Sequence, residues 1–371
     1  MLFLLLACAP PVLDDTQAPP EWVAPDQQGP YGVGAETIRW TDARGKDLVA
    51  EIWFPAIVEP DDTPDDYPEL PIAAGAYRNV PPDTRGAPYP LVAFSHGNGG
   101  IRYQSVYLTE FLASHGFVTV AVDHPDNTLL DLDEDAILTV FLERPGDVIA
   151  SVDEVYARAT SGDELLDGLV DPEAGYAMSG HSFGAWTSLI VGGGDEDLTG
   201  IVRYCEGRGG IACRYLSRVE VDDPELEIAQ DPRVVTTLPM SPGVWYSFGD
   251  QGEGLASVTL PFLQAGDNDD ILDFVEEATP VYEAMSAPKH MAVFADAGHY
   301  AFSDICQVAG PLFDDCEGPE GGYIDIEVAH EISRAITTAW LGVTLKGDDR
   351  YAPWLEEDWA AAHPELRWLA E

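Results

Sequence analysis

The sequence predicts an α/β fold with a mostly parallel central sheet and helices on both faces. Two observations lead to this prediction. Short apolar runs typical of buried parallel strands alternate along the chain with segments of helical spacing. One of these runs ends at Gly180–Gly184, where a serine lies between two glycines and a helical segment follows. Strands and helices in alternation pack as a sheet that is covered on both faces, because each element must bury its apolar side.

The predicted elements follow one another from residue 37 to residue 341. Two alternating segments predict an antiparallel strand pair, and six later apolar runs predict the core strands. The strands are predicted at Thr37–Trp40, Leu48–Phe54, Leu91–Phe94, Phe117–Val122, Ala174–Met178, Arg233–Leu238, Leu260–Ala265 and Met291–Ala295. The helices are predicted at Ser105–His115, Asp147–Thr160, Ala185–Val191 and Ile326–Leu341.

The sequence predicts one folded domain with flanking segments. Residues 35–345 form this domain, and an insertion at about 203–230 interrupts its alternation of strands and helices. Residues 59–88, which hold many prolines and aspartates, predict a long surface loop. Residues 9–34 are rich in Pro, Asp, Gln and Gly and predict a disordered tether, and residues 346–371 predict a C-terminal tail.

The charge balance is strongly acidic. The 371 residues include 66 acidic and 18 basic side chains, which gives a formal net charge of −48. Such a surface repels phosphate, so the composition excludes nucleic-acid binding. A solvated acidic surface suited to a saline medium is favoured over calcium binding. Asp131, Asp133 and Asp135 begin like a calcium loop, but Ala136 and Leu142 stand where Gly and Glu are expected, so no metal is predicted.

The amino terminus resembles a bacterial lipobox. Leu5-Leu6-Ala7-Cys8 ends a short apolar run, although no Lys or Arg precedes it. We interpret residues 1–8 as a signal segment with Cys8 as its lipidation site. A lipid on Cys8 would tether the protein to a membrane, and the expected location is the outer membrane, the periplasm or the extracellular space.

Four further cysteines occur in two close pairs. Their spacing does not fit a zinc site. Four cysteines allow three connectivities, and proximity in the sequence favours Cys205 with Cys213 and Cys306 with Cys316. Disulfide bonds agree with an export signal, because both place the protein in an oxidising compartment.

Ser182 is the candidate nucleophile. It lies in Gly180-His181-Ser182-Phe183-Gly184, between a predicted strand and a predicted helix. This sharp turn forces the serine into a strained conformation, and the flanking glycines avoid collisions with neighbouring backbone. The hydroxyl is then held at the end of a strand, open to a substrate.

A serine hydroxyl needs a base, and the base needs an orienting carboxylate. His299 follows the last core strand in a loop of small residues, and it is the candidate base. Asp269 follows the strand before it, in Gly266-Asp267-Asn268-Asp269-Asp270, and it is the candidate acid. Asp267 and Asp270 remain alternatives. The chain order serine, acid, histidine is that of one known form of this triad.

Two backbone amides are expected to bind the oxyanion of the transition state. One belongs to Phe183, directly after the nucleophile. The other belongs to the glycine-rich loop His96–Gly100 after the first core strand, with Asn98 as the candidate. His181 is expected to point away from the substrate and to pack structurally.

The order of these motifs resembles that of a known group of proteins. The chain is similar to bacterial α/β-hydrolases known as predicted dienelactone hydrolases, which are akin to the platelet-activating-factor acetylhydrolases. The likeness covers residues 36–345. The segments that carry it are Ile52–Pro55, Phe94–Gly97, Leu112–Phe117, Asp123–Pro125, Glu143–Val148, Gly180–Gly184 and Ala297–Tyr300.

The surroundings of the candidate acid and base also resemble bacterial cutinases and polyester hydrolases. In those enzymes the acid lies in a similar acidic loop, matched here by Asp267–Ile271. A disulfide near the histidine also occurs there, and Cys306 with Cys316 would match it.

These resemblances imply an α/β-hydrolase fold and a serine esterase that acts on short acyl esters without a metal or organic cofactor. True dienelactone hydrolases use a cysteine nucleophile, so Ser182 argues against their substrate. The expected substrate is a small-molecule, lipid or polymer ester, with polyester hydrolysis and phospholipid deacetylation as alternatives. The protein is expected to be a monomer. The competing hypothesis is a non-catalytic surface lipoprotein that binds a lipid or a partner.

Overall fold

The computed structural model describes residues 18–67, Ile72, residues 75–206, Cys213 and residues 229–371. These residues contain a nine-stranded sheet in the order β1-β2-β4-β3-β5-β6-β7-β8-β9. The strands are β1 Gly32–Thr41, β2 Asp47–Ala56, β3 Leu91–Ser95, β4 Val118–Val122, β5 Tyr176–His181, β6 Val234–Met240, β7 Phe262–Gly266, β8 His290–Phe294 and β9 Leu366–Ala370. The α-helices are α1 Val106–Ser114, α2 Ile137–Arg158, α3 Phe183–Val191, α4 Leu198–Cys205, α5 Thr279–Ala284, α6 Ile305–Ala309, α7 Ile326–Thr344 and α8 Glu357–Ala361.

The central part of the sheet is parallel. Strands β4, β3, β5, β6, β7 and β8 run in one direction, whereas β1, β2 and β9 form antiparallel pairs at the two sides. The carboxyl ends of the parallel strands therefore lie at one edge of the sheet. The loop after β3 leads to β4 on one side, and β5 lies on the other side, so a crevice opens between β3 and β5 at this edge.

Helices cover both faces of the sheet, which confirms the predicted fold. Along β3, Val92 and Phe94 pack in one apolar cluster with α1 and α7, and Leu91 and Ala93 pack in a second cluster with α2. Both faces of β3 are buried, so its sequence is apolar without interruption. This architecture is consistent with an α/β-hydrolase fold.

All eight predicted strands and all four predicted helices are present, with small shifts at their ends. The largest difference is α2, which was expected at Asp147–Thr160 but begins at Ile137. Pro145 lies inside this helix, where proline removes a hydrogen bond and normally ends the pattern. Burial of Val148, Val152 and Val155 in the core outweighs this local cost.

The C-terminal residues belong to the folded body, which corrects the predicted tail. Residues 366–370 form β9, which pairs with β8 in an antiparallel register from His290 with Ala370 to Phe294 with Leu366. The run Leu366–Ala370 is short and contains Arg367, so it does not stand out as a strand in the sequence.

The described part of the predicted tether also packs against the domain. Gly29 N donates to Ser114 Oγ at 3.1 Å, and the Tyr31 ring packs edge-on against Tyr89. Trp22 packs against the Tyr351 ring in the same manner. Residues 18–34 are therefore a packed extension of the domain and not a tether.

The structure contains both expected disulfide bonds. The sulfur atoms of Cys205 and Cys213 lie 2.04 Å apart, and those of Cys306 and Cys316 lie 2.00 Å apart. Most of the predicted insertion at 203–230 lies outside the described residues, as does the segment with Cys8. In the described part of the chain, each helix is too short or too polar to span a bilayer.

Candidate active site

Ser182 lies in the turn between β5 and α3 with φ 59° and ψ −119°, a strained conformation for a residue with a side chain. The flanking glycines are required by close packing. A Cβ on Gly180 would lie 2.2 Å from the Gly184 carbonyl oxygen, and a Cβ on Gly184 would lie 1.8 Å from the Ser95 carbonyl oxygen. Glycine at both positions lets the turn sit against β3 while it presents the serine hydroxyl above the sheet edge.

The three candidate triad residues form one hydrogen-bonded chain. Ser182 Oγ lies 2.8 Å from His299 Nε2, and His299 Nδ1 lies 2.8 Å from Asp269 Oδ2. These three residues lie in loops after β5, β8 and β7, whose carboxyl ends meet at the same edge. His299 is 3% exposed and Asp269 is 5% exposed, so the base and the acid are both shielded from water.

The environment of Asp269 keeps it ionised. Burial opposes its charge, but the attraction and hydrogen bond of His299 outweigh burial and lower the pKa of Asp269. The backbone N–H groups of Ile271 and Leu272 donate to Asp269 Oδ1 at 2.9 and 2.8 Å and add to this effect. The carboxylate is therefore fixed in orientation and suited to hold a positively charged imidazole during a reaction.

The two alternative acids have other positions. Asp267 Oδ1 accepts a hydrogen bond from Asp296 N at 2.8 Å, which ties the two loops together. Asp270 is exposed. Of the three aspartates in this loop, the structure brings only Asp269 to His299.

The glycine-rich loop after β3 packs directly against the nucleophile. A Cβ on Gly97 would lie 3.3 Å from Ser182 Cβ, so a larger residue would crowd the serine. Asn98 follows at the exposed side of this loop, and its side-chain Oδ1 accepts from Asn127 Nδ2 at 2.8 Å. Phe183 is the first residue of α3. The two candidate oxyanion donors therefore belong to the loop that packs against Ser182 and to the helix that begins directly after it.

His181 has a role that the sequence analysis did not specify. The Gly97 N–H group donates to Gln104 Oε1 at 2.8 Å, which places the Gln104 amide nitrogen toward His181 Nδ1 at 2.9 Å. His181 Nδ1 is thus an acceptor, and its Nε2–H group donates to the His299 carbonyl oxygen at 2.8 Å. Burial, reinforced by nearby His299, lowers the pKa of His181 to about 3 and keeps it neutral.

Gln104 and His181 therefore link three loops by hydrogen bonds: the glycine-rich loop, the serine turn and the histidine loop. No sequence pattern reveals this link, because Gln104 lies in no motif and its partners lie 7 and 77 positions away along the chain.

Asp315 also fixes the loop that carries His299. Asp315 Oδ2 accepts a hydrogen bond from Tyr300 N at 2.6 Å. A Cβ on Gly298 would lie 2.3 Å from Asp315 Cγ, so the carboxylate fits directly against the backbone before His299. Asp315 precedes Cys316, and the Cys306–Cys316 disulfide closes the segment around it.

A cavity of about 170 Å³ opens beside the glycine-rich loop and the histidine loop. Its walls are mainly apolar, and its polar groups are few. The lining residues are Ile72, Asn98, Gly99, Gly100, Ile101, Gln104, Leu129, Tyr300, Ser303, Asp304, Ile305, Val308 and Phe313. A small apolar space therefore lies next to the glycine-rich loop and the histidine loop.

One family model matches the chain. Residues 71–148 match the model of platelet-activating factor acetylhydrolase, isoform II. In this segment, the chain is similar to that family. The match confirms the resemblance that the motifs in this segment indicated, and it supports hydrolase activity. It includes β3, the glycine-rich loop and β4, whereas Ser182, Asp269 and His299 lie after it. A search of curated proteins finds no match.

Proposed function

We propose that the protein hydrolyses carboxylic esters through an acyl-enzyme formed on Ser182. One observation carries this proposal: Ser182, His299 and Asp269 are joined by two hydrogen bonds of 2.8 Å at the carboxyl edge of the sheet. This is the order of contacts that activates a serine nucleophile.

In the first half of the reaction, Ser182 Oγ attacks the carbonyl carbon of the ester, and His299 Nε2 takes the hydroxyl proton. The new oxyanion lies between the backbone N–H groups of Asn98 and Phe183. His299 then gives its proton to the alcohol oxygen, the carbon–oxygen bond breaks, and the acyl group stays on Ser182. Asp269 holds the imidazolium in place throughout, because its carboxylate is fixed by two backbone donors.

In the second half, water takes the place of the alcohol. His299 removes a proton from the water, which attacks the acyl carbon and forms a second tetrahedral intermediate. His299 returns the proton to Ser182 Oγ as the carboxylic acid leaves. The chemistry balances with water alone, and all of its proton transfers pass through His299.

Short acyl groups are the proposed substrate class. The apolar cavity of about 170 Å³ beside Asn98 and Tyr300 accommodates an acyl group of a few carbon atoms. A second candidate is the deacetylation of phospholipids, which the family match favours. The disulfide bonds favour an exported protein, with Cys8 as the proposed membrane tether.

The experiment measures hydrolysis of p-nitrophenyl acetate and p-nitrophenyl butyrate by the wild type and by Ser182→Ala. Loss of the nucleophile is expected to lower kcat by about 10⁶-fold or to the detection limit. Ser188→Ala is the matched control, because its buried hydroxyl donates to the Ala185 carbonyl oxygen within α3. Equal rates in the wild type and in Ser182→Ala would overturn the proposal. An acetylated phospholipid as substrate distinguishes the second candidate.

A further inference from the structure

Arg144 is a buried cation behind the serine turn. Its side chain has no exposed surface, and it projects from α2 toward the carboxyl ends of β3 and β5. Each of its three nitrogen atoms makes a hydrogen bond. Nε donates to Thr187 Oγ1 at 3.1 Å, Nη1 donates to Asn127 Oδ1 at 2.5 Å, and Nη2 donates to Ser95 Oγ at 3.0 Å and to the His96 carbonyl oxygen.

One of these hydrogen bonds and a ring contact lead to Phe183. The guanidinium carbon lies 4.4 Å from the centre of the Phe183 ring, a distance at which a cation is attracted to an aromatic face. Thr187, which accepts from Arg144, donates its own hydroxyl to the Phe183 carbonyl oxygen at 2.9 Å. Arg144 thus holds both the ring and the backbone of the residue after the nucleophile.

Two other hydrogen bonds lead to Asn98. Arg144 binds the carbonyl oxygen of His96, at the start of the glycine-rich loop. It also binds Asn127 Oδ1, and the amide nitrogen of Asn127 donates to Asn98 Oδ1 at 2.8 Å. One side chain therefore contacts the supports of both candidate oxyanion donors, which lie on separate elements.

A second chain of hydrogen bonds balances the buried charge. Ser95, which accepts from Arg144, lies 2.9 Å from His124 Nε2, and His124 Nδ1 lies 3.1 Å from Asp147 Oδ2. Burial lowers the pKa of His124 well below its usual value, so the imidazole is neutral and passes a hydrogen bond to the carboxylate. Burial lowers the pKa of Arg144 to about 9, and Asp147 opposes that shift, so Arg144 is charged at neutral pH.

Ser95, His124 and Asp147 repeat the serine, histidine and acid order of contacts, but they are each at most 1% exposed. A substrate has no access to Ser95, so this chain is structural. It connects Arg144 to Asp147, which also pairs with Arg44 and Lys46 near the surface.

We propose that Arg144 is the positioning residue that sets the two halves of the oxyanion hole relative to each other. This inference rests on the proposed function, because the oxyanion hole serves ester hydrolysis. A buried charge is costly, and an apolar side chain of similar volume often stabilises a protein as well or better. Four directed hydrogen bonds and a ring contact at one guanidinium fork therefore indicate a geometric role rather than a contribution to stability.

The experiment compares Arg144→Lys and Arg144→Met with the wild type. Lysine keeps the charge but loses the fork, and methionine loses both. Arg233→Met is the matched control. Arg233 also pairs with carboxylates, Asp231 and Asp153, and lies 5.5 Å from the Tyr156 ring centre, but it precedes β6 at the opposite edge of the sheet. Thermal unfolding of each variant sets an assay temperature at which all of them are folded.

Three readouts are measured: kcat and KM for p-nitrophenyl butyrate, inhibition by 1-butaneboronic acid, and backbone hydrogen exchange of residues 96–101. The boronic acid forms a tetrahedral adduct with a catalytic serine and reports on the oxyanion hole. We expect kcat to fall about tenfold in Arg144→Lys and about a hundredfold in Arg144→Met, with KM changed less than about twofold. The inhibition constant is expected to rise in parallel, and exchange is expected to rise in residues 96–101 but not in α7.

Arg233→Met is expected to lose stability and to keep kcat. The inference is overturned if the folded Arg144 variants keep the wild-type kcat, or if exchange in residues 96–101 is unchanged. If Arg144→Met does not fold, Arg144→Lys decides the result. A wild type that cleaves no ester and binds no boronic acid would defeat the proposed function, and hydrogen exchange would still decide whether Arg144 positions the loop.

Discussion

Exchange of Gln104 for glutamate isolates one hydrogen bond of the link behind the nucleophile. In the wild type, Gln104 accepts from Gly97 N–H and donates to His181 Nδ1. A carboxylate keeps the first contact but has no proton for the second. Gln104→Glu therefore changes the His181 contact and leaves the Gly97 contact in place.

The magnitude follows from what His181 does next. In the variant, the proton of His181 moves from Nε2 to Nδ1, where it donates to the carboxylate at position 104. The lone pair of Nε2 then faces the His299 carbonyl oxygen, which lies 2.8 Å away in the wild type. A buried acceptor without a donor costs about 1–3 kcal/mol. The free energy of unfolding is expected to fall by that amount at about pH 8, and the histidine loop is expected to lose part of its order, which lowers kcat/KM.

Protonation of His181 restores both hydrogen bonds, because an imidazolium donates from both nitrogen atoms. In the wild type, burial holds the pKa of His181 at about 3. A carboxylate at position 104 favours the imidazolium and raises the pKa of His181 in the variant. The restored contacts are present below that raised pKa and are lost above it, so the deficit of the variant shrinks as the pH falls.

The assay is urea unfolding together with kcat/KM for p-nitrophenyl butyrate, at about pH 5.5 and about pH 8. The free energy of unfolding and kcat/KM of each variant are compared with those of the wild type at the same pH. Gln104→Leu is the control, because it removes both contacts and introduces no charge, so its deficit is expected to be larger and independent of pH. A Gln104→Glu deficit that is absent, or equal at both values, would refute the reasoning.

Two further predictions concern carboxylates near the site. Asp269→Asn removes the acceptor that holds His299 in its tautomer, so kcat is expected to fall by about 10⁴-fold. A steady-state assay in which kcat changes less than about tenfold would contradict this role. Asp304 is buried, and burial raises its pKa to about 7, whereas its unfolded value is about 4. The folded state therefore binds more protons between these two values, and stability falls as the pH rises from about 4 to about 7, by up to about 4 kcal/mol. Asp304→Asn is expected to flatten this part of the stability profile measured by thermal unfolding at a series of pH values, and an unchanged slope would count against it.

Local patterns predicted most of the fold and the three candidate triad residues. The core strands were recognisable because both of their faces are buried, as in Leu91–Ser95. Ser182 was recognisable because its turn requires glycines, and His299 and Asp269 because they follow strands. The pattern favoured Asp269 but left Asp267 and Asp270 as alternatives, since only the folded loop decides which carboxylate reaches the histidine.

The residues behind the site were not predictable from the sequence. The partners of Gln104 lie 7 and 77 positions away along the chain, and those of Arg144 lie 17 to 49 positions away. No local spacing in the sequence therefore reveals these two residues. Pro145 also concealed the start of α2, because a proline inside a helix is overcome only by tertiary packing. The sequence therefore predicts reactive groups at strand ends better than it predicts the buried polar groups that hold them.

The most direct test of the central proposal is the mass of the protein during turnover. The wild type is mixed with p-nitrophenyl butyrate, quenched in acid, digested and examined by mass spectrometry. We predict that one butyryl group is found on the peptide that contains Ser182, and that Ser182→Ala carries none. A butyryl group on another residue, or hydrolysis by the wild type with no acylated peptide at any time, would contradict an acyl-enzyme at this serine.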